Sequence, residues 1–129
     1  SDDTDTQIFF DPVHLTRILT NLVDNGIRFS NQEVSQHWVK LVISKDSNSS
    51  LPFLDVYDKG PGISKNDQEH IFEPFFTTSH EGSGLGLYLA KELCEVNYAS
   101  LNYFGATPNN SHFRVGFSHA ERLLPRASS

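Results

Sequence analysis

The feature that most constrains this chain is a long helical pattern near its N-terminus. Asp11 followed by Pro12 is typical of a helix start, because the carboxylate can cap backbone N–H groups and proline has none to leave unpaired. The pattern predicts one helix that ends near Ser30 and Asn31. Apolar side chains recur within it at helical spacing, at Leu15, Ile18, Leu19, Leu22, Val23 and Ile27. A helix with one apolar face needs a second layer to cover it.

Shorter periodic segments fill the rest of the chain. Apolar runs predict strands at residues 7–10, 38–43, 51–57, 99–104 and 112–117. Helical spacing predicts a short helix at 64–72 and a longer one at 85–96, with a loop at 73–83 between them. Strands and helices alternate in blocks rather than strictly. This indicates an α/β (α+β) sandwich in which one mixed sheet carries helices on one face.

Length and composition describe one globular domain of 129 residues. We expect a disordered lead at 1–6, a folded domain at 7–120 and a weakly patterned tail at 121–129. The net charge is 10 − 16 = −6 and the pI is near 5.4, which argues against a nucleic-acid partner. The single Cys94 excludes an internal disulfide and a multi-cysteine zinc site. The absence of any methionine leads us to expect a piece of a longer protein.

Asn21, Asn25 and Arg28 form the first of three features that could carry chemistry. They lie at positions i, i+4 and i+7 of the predicted helix and therefore share one face. One interpretation is a solvated polar stripe. The other is a site in which an asparagine oxygen binds a hard cation and Arg28 meets phosphates that share this cation.

Two glycine-rich segments are the other features. Asp58, Gly60 and Gly62 follow a predicted strand, where a carboxylate can accept a hydrogen bond from an exocyclic amine; taken alone, this is also an ordinary turn. The second segment, 82–87, opens the helix predicted from residue 85, and helix starts bind anions. The spacing differs from a dinucleotide fingerprint and no strand directly precedes it, so a Rossmann site is excluded.

Taken together and in order, four segments resemble the motif boxes of the GHKL superfamily of ATPases and kinases. Residues 21–30 resemble the N box, 58–63 the G1 box, 71–78 the F box and 82–87 the G2 box. The F box is similar to that of bacterial sensor histidine kinases. Its short distance from the G2 box is most similar to kinases of the nitrogen-regulation and type IV pilus groups. The resemblance covers about residues 9–117 and implies the Bergerat fold, with ATP between the helices and a short lid.

The resemblance also implies a role for each matching residue. Asn25 would be the Mg²⁺ ligand, with Asn21 in support. Arg28 would contact phosphate and Phe29 would stack on adenine. The remaining ATP-binding residues implied in this way are Asp58 for the adenine amino group, Gly60, Gly62 and Ile63 around the base, and Thr77, Thr78, Gly82, Ser83, Gly84, Leu85, Gly86 and Leu87 in the lid and around the phosphates. The lid would run from about 67 to 83, with Phe75 and Phe76 packed at its base.

Position 21 distinguishes two reactions within this superfamily. Hydrolytic relatives carry a glutamate there that activates water, whereas Asn21 cannot accept a proton at neutral pH. Transfer to a histidine needs no such base, since the ring nitrogen has a lone pair. None of the six histidines has the family's acceptor context: His14, His37, His70, His80, His112 and His119. The resemblance therefore implies a histidine kinase catalytic domain that cannot autophosphorylate without a separate dimerisation domain.

The predicted lid departs from the family pattern. No lysine or arginine occurs between Lys65 and Lys91, and four acidic residues make the stretch negative. We therefore expect modest, strongly magnesium-dependent nucleotide binding. The alternative function is a regulatory module that senses nucleotide without phosphotransfer. For the kinase, the resemblance implies a homodimeric parent and a response-regulator partner. It also implies a cytoplasmic location for this domain, and leaves open an inner-membrane anchor in the parent.

Overall fold

The computed structural model describes residues 7–30, 39–58, 62–76, 84–105 and 111–118. Within these ranges the helices are α1 (Pro12–Ser30), α2 (Lys65–Gln68) and α3 (Gly86–Val96). The strands are β1 (Val39–Lys45), β2 (Pro52–Asp58), β3 (Ser100–Phe104) and β4 (His112–Gly116). The strands form one open sheet in the order β1-β2-β4-β3. The helices α1 and α3 pack against each other, α1 also against β2 and α3 against β3, so they cover one face of the sheet.

The long first helix and the start of α3 agree closely with the sequence patterns. Asp11 caps α1 as predicted, because its carboxylate accepts hydrogen bonds from the N–H groups of Val13 and His14. The helix α3 begins at Gly86, with Leu85 as its N-cap residue. The predicted strands at 51–57, 99–104 and 112–117 are present to within about two residues at each end.

Two predicted elements are wrong. Residues 7–10 form no strand; this segment is held by side-chain packing, with Phe10 edge-on against Phe117 at 5.8 Å. The helix predicted at 64–72 stops after Gln68. Beyond it the backbone changes to tighter turns, in which His70 N–H donates to the Asp67 carbonyl.

The strand directions differ from those of the mixed sheet that the sequence predicts. All three strand pairs among the described residues are antiparallel. Short connections join β1 to β2 and β3 to β4, and short connections favour antiparallel neighbours. Between β2 and β3 the chain passes through α2 and α3, so β3 takes the edge of the sheet and β4 returns antiparallel between β2 and β3.

The core lies between the sheet and the two long helices. Its fully buried members include Ile18 and Leu22 of α1, Ala90 and Cys94 of α3, and Leu101 of β3. Burial raises the pKa of the Cys94 thiol to about 12, so at neutral pH this cysteine is a packed apolar group and not a nucleophile. The prediction that Cys94 is a core residue is confirmed.

Candidate functional site

Asp58 is the last residue of β2 and lies on the helix side of the sheet. Side chains alternate along a strand, so Asp58 shares its face with the buried Leu54 and Val56. It is only 8% exposed. A carboxylate therefore ends a row of core residues at the edge of the apolar interior, where a ligand with a polar edge can meet it.

A cavity at this end of the sheet is lined by residues from five parts of the chain. Its lining residues are Asn25 of α1, Asp58 of β2, Gly62 and Ile63 after β2, Tyr103 of β3 and Phe113 of β4. An amide, a carboxylate and a phenol hydroxyl thus line one cavity with apolar and aromatic walls. The cavity holds only about 10 Å³, so the match is one of side-chain chemistry: these groups can hydrogen-bond and pack against a flat heterocyclic ligand that carries an exocyclic amine.

Gly62 has a backbone conformation that favours glycine. Its φ is +88°, and a Cβ at this position would lie 2.8 Å from Ser111 Oγ. The next residue, Ile63, donates its backbone N–H to the Tyr103 hydroxyl at 3.0 Å. The glycine thus permits a close approach between the segment after β2 and the facing ends of β3 and β4.

Asn21 lies one helical turn before Asn25, as the spacing predicts. Its Nδ2 is buried and has no hydrogen-bond partner among the described residues. An unpaired buried amide is costly, so a polar ligand or water near this group would remove a penalty of about 1–3 kcal/mol. Arg28 and Phe29 belong to α1, but their side chains lie outside the described part of the structure.

The start of α3 is built around a close contact between Gly84 and Phe75. Gly84 has φ +79°, and its carbonyl accepts a hydrogen bond from Phe75 N–H at 2.8 Å. A Cβ at Gly84 would lie 2.4 Å from the Phe75 carbonyl carbon, whereas one at Gly86 would meet nothing within 4 Å. Packing alone therefore requires glycine at 84 but not at 86.

The structure places the predicted site residues in two groups. Asn25, Asp58, Gly62 and Ile63 come together around the cavity. The residues at the start of α3, namely Gly84, Leu85, Gly86 and Leu87, are not among those that line it. Gly60, Thr77, Thr78, Gly82 and Ser83 fall outside the described residues, so their roles remain predictions.

The prediction that Phe75 packs at the base of the lid is wrong. Its side chain is 73% exposed and its φ is +69°. Its backbone bond to Gly84 turns the chain and directs the ring outward. Phe76 does pack against the core, and its ring lies 5.8 Å from that of His70.

Tyr103, Phe113 and Ser111 are site residues that the sequence patterns missed. Tyr103 and Phe113 are paired across β3 and β4, and their ring centroids are 4.9 Å apart. Ser111 Oγ is buried beside Gly62 and has no hydrogen-bond partner within the described ranges. The alternation of apolar residues could have placed Tyr103 and Phe113 on the inner face, but it could not have placed Phe113 opposite Val56, because the register between β2 and β4 is not local.

The donor set suits magnesium better than a transition metal. No group of three or more His, Cys, Asp or Glu side chains with metal-binding geometry occurs in the ranges that the structure describes. A single amide oxygen such as that of Asn25 fits Mg²⁺, which usually keeps waters and shares phosphate oxygens with one or two protein ligands. The residues present therefore fit a metal held jointly with a nucleotide.

Comparison with known proteins identifies similar chains. The sequence profile of the family described as histidine kinase-, DNA gyrase B- and HSP90-like ATPase matches residues 10–121. The sensor protein kinase PilS of Pseudomonas aeruginosa is 44% identical over 119 residues, which are 92% of this chain and 22% of that protein. The chain thus spans about a fifth of the length of this relative.

Two solved structures resemble the fold described above. The mycobacterial sensor histidine kinase MprB superposes with a TM-score of 0.72 at 25% identity, covering 86% of this chain and 74% of that one. Full-length ShkA in complex with AMPPNP superposes with a TM-score of 0.69 at 26% identity, covering 88% of this chain and 24% of that one. These matches confirm the predicted fold class.

Proposed function

Because the chain belongs to the family of histidine kinase-, DNA gyrase B- and HSP90-like ATPases, as an ATP-binding catalytic domain of sensor histidine kinases, we propose that it phosphorylates a histidine outside this sequence. The phosphoryl group would come from the γ position of ATP. The observation that carries the proposal is that Asn25 and Asp58, from different elements, line one cavity.

The base of the nucleotide would bind at Asp58. Its carboxylate would accept a hydrogen bond from the exocyclic amine of adenine, and Ile63 and Phe113, which line the same cavity, would supply apolar walls. Gly62 permits the close backbone approach that such a pocket needs. Guanine, with a carbonyl in place of that amine, would leave the carboxylate facing an acceptor.

Magnesium and the phosphates would bind between α1 and the start of α3. Asn25 would supply one oxygen ligand, and the buried Asn21 Nδ2 is free among the described residues to donate to a phosphate oxygen or a water. The first N–H groups of α3 have no intrahelical partners and favour an anion. When bound, the ion would neutralise charge on the phosphoryl group during transfer.

Asn21 makes transfer to histidine more favourable than hydrolysis. An amide is no general base at neutral pH, so residue 21 does not activate a water molecule. The acceptor imidazole attacks with its own lone pair. A bond forms between its nitrogen and the γ-phosphorus as the bond from this phosphorus to the β–γ bridging oxygen breaks, and ADP leaves.

The acceptor and the further partners belong to the same proposal. The acceptor would lie on a dimerisation and histidine-phosphotransfer domain of a homodimeric parent, which would pass the phosphoryl group to a response regulator. The domain would work in the cytoplasm, where ATP is available. Within the described ranges, no helix has the length and apolar character needed to cross a membrane.

Phosphotransfer is tested with the parent protein, including its dimerisation domain, and ATP labelled at the γ position. We expect label on one histidine of that domain, in an acid-labile and base-stable linkage. Asn25→Asp should abolish nucleotide binding and labelling, because it places a negatively charged carboxylate beside the negatively charged phosphates. Asp24→Asn is the matched control, since Asp24 is an exposed neighbour on the same helix. Its labelling should equal that of the wild type.

Removal of Mg²⁺ tests the metal role within the same experiment. Chelation with EDTA should weaken ATP binding strongly, because the lid sequence supplies no lysine or arginine to replace the ion. ATP affinity unchanged in EDTA contradicts the role of Asn25. ATP binding without any labelled histidine in the parent contradicts phosphotransfer and supports a nucleotide-sensing module.

A further inference from the structure

Both backbone groups of Ile63, its N–H and its carbonyl, form hydrogen bonds with side chains. Its N–H donates to the Tyr103 hydroxyl of β3 at 3.0 Å, and its carbonyl accepts from Gln68 Nε2 of α2 at 2.8 Å. Ile63 belongs to no strand or helix. Both bonds are partly buried, and the first joins residues 40 positions apart. We call this arrangement the Ile63 clamp.

The clamp lies at the wall of the cavity that contains Asp58. Ile63, Gly62 and Tyr103 all line this cavity, so the Tyr103 hydroxyl bridges two of its sides. Gly62 is held close by as well, because a Cβ there would lie 2.8 Å from Ser111 Oγ and 3.5 Å from the Tyr103 hydroxyl. Movement of Ile63 would therefore move the glycine that shapes the base pocket.

Tyr103 is itself held firmly in place. Its ring lies 4.9 Å from Phe113, and Phe113 in turn contacts Phe72 edge-on at 6.2 Å. Phe113 is 2% exposed, so this aromatic contact belongs to the core. The phenol hydroxyl is thus presented to Ile63 from a rigid strand rather than from a loop.

We propose that Tyr103 is a positioning residue for the nucleotide base, acting with Gln68 through the backbone of Ile63. This inference rests on the proposed function, because it assumes an adenine nucleotide in the cavity. A segment held in its binding conformation before the ligand arrives loses less conformational entropy on binding. Tyr103 and Gln68 raise affinity by holding the segment after β2, without touching the phosphates.

Tyr103→Phe is the sharpest test, because it removes one oxygen and keeps the ring. Affinity for ATP and for ADP, both with Mg²⁺, is measured by calorimetry. We expect the dissociation constant to rise roughly three- to tenfold, the effect of one lost hydrogen bond. The factor should be equal for ATP and ADP, since the clamp acts on the base. Tyr98→Phe is the matched control, because Tyr98 is 65% exposed at the end of α3.

Amide hydrogen exchange separates positioning from a general loss of stability. In Tyr103→Phe the Ile63 amide should exchange faster, while the amides of β2 and β4 should keep their wild-type rates. Gln68→Met removes the second hydrogen-bond donor and keeps a side chain of similar length. It should weaken the binding of ATP and of ADP by the same factor. If Tyr103→Phe does not fold, the nucleotide affinities of Gln68→Met test the proposal on their own.

Three results would overturn the inference. The first is affinity within twofold of the wild type in both clamp variants. The second is a loss that is much greater for ATP than for ADP, since this would place the effect at the phosphates. The third is a wild-type domain that binds no adenine nucleotide, which removes the proposed function as well and is therefore distinguishable from the other two.

Discussion

Two buried carboxylates of β2, Asp55 and Asp58, have opposite surroundings. They lie three residues apart and so point to opposite faces of the sheet. Asp55 is 3% exposed on the face that no described helix covers, and Asp58 is 8% exposed on the helix side. The same side chain on the same strand thus has two environments, and the environment decides its role.

Asp55 is matched by a charge within the chain. Arg114 donates to it with two hydrogen bonds, at 2.7 Å from Nε and 2.9 Å from Nη2. This bond is the main reason why the pKa of Arg114 is raised. Arg114 also stacks over Phe53, with its guanidinium carbon 3.9 Å from the ring centroid. On this face of the sheet, Arg114 and not a described helix shields the Asp55 carboxylate from water.

Asp58 meets a different set of neighbours. The described residues that share its cavity are an asparagine, a glycine, an isoleucine and two aromatic residues. A carboxylate at such a cavity can accept hydrogen bonds from a ligand that brings donors. The comparison teaches that Asp55 is bound by an arginine of the same sheet, whereas Asp58 lines the cavity in which we propose that the nucleotide base binds.

The largest expected effect comes from Asp58→Ala. ATP affinity should fall on the order of 100-fold or more, because the variant lacks the acceptor for the adenine amine in a mostly apolar cavity. The free energy of unfolding should fall less than in Asp55→Ala, because Asp58 ends β2 beside the cavity, whereas Asp55 holds Arg114 with two hydrogen bonds. Calorimetric titration with ATP and urea unfolding measure the two quantities. A severe loss of stability would place Asp58 with Asp55 as a structural carboxylate.

The reverse result is expected for Asp55→Ala. Its free energy of unfolding should fall by about 2 kcal/mol, because Arg114 loses a bidentate charged partner but stays partly hydrated. The side chain of Arg114 is 36% exposed, which keeps this value below that of a fully buried pair. Urea unfolding checks the stability. ATP affinity should stay within twofold of the wild type; a loss comparable to that of Asp58→Ala would break the comparison.

The smallest expected effect concerns Asp46. Unlike Asp55 and Asp58 it is exposed, so hydrogen bonds and not burial determine its effect on stability. This exposed residue lies in the turn between β1 and β2, and its pKa is lowered by the Ser49 backbone N–H, then by the Ser49 hydroxyl and the Asn48 N–H. A lowered pKa in the folded state means that the stabilisation is present above the ordinary aspartate pKa of 3.8 and is lost as pH falls through the folded pKa.

Unfolding of the wild type and of Asp46→Asn between about pH 5 and pH 2 tests this. The variant keeps an oxygen acceptor without the charge, so its stability should fall slightly less over this range. Identical acid profiles would mean that the turn's hydrogen bonds do not depend on the charge of Asp46.

Much of the fold was predictable from local patterns. The apolar spacing after Pro12 predicted α1, alternation at residues 38–43 predicted β1, and apolar runs predicted β2, β3 and β4. The short helix after Ser64 was overestimated, because turns and helices share local hydrogen bonds in their first residues. The strand predicted at 7–10 failed because pairing depends on a partner strand and not on apolar content alone.

The candidate site was predictable only in part. The order of the motif boxes predicted that Asn25 and Asp58 would meet, and they line the same cavity. The contributions of Tyr103 and Gln68 were not predictable, since each depends on how distant elements are positioned. The pairing of Arg114 with Asp55, 59 positions apart, depends likewise on the antiparallel register of β2 and β4.

The sequence by itself determined the helices, most strands and the identity of the polar residues at the candidate site, because periodicity and motif spacing act over a few residues. Only the tertiary structure decided which buried carboxylate is neutralised within the chain and which one lines the cavity. The physical reason is that strand register and helix packing, which join residues far apart in the sequence, set the neighbours of Asp55 and Asp58.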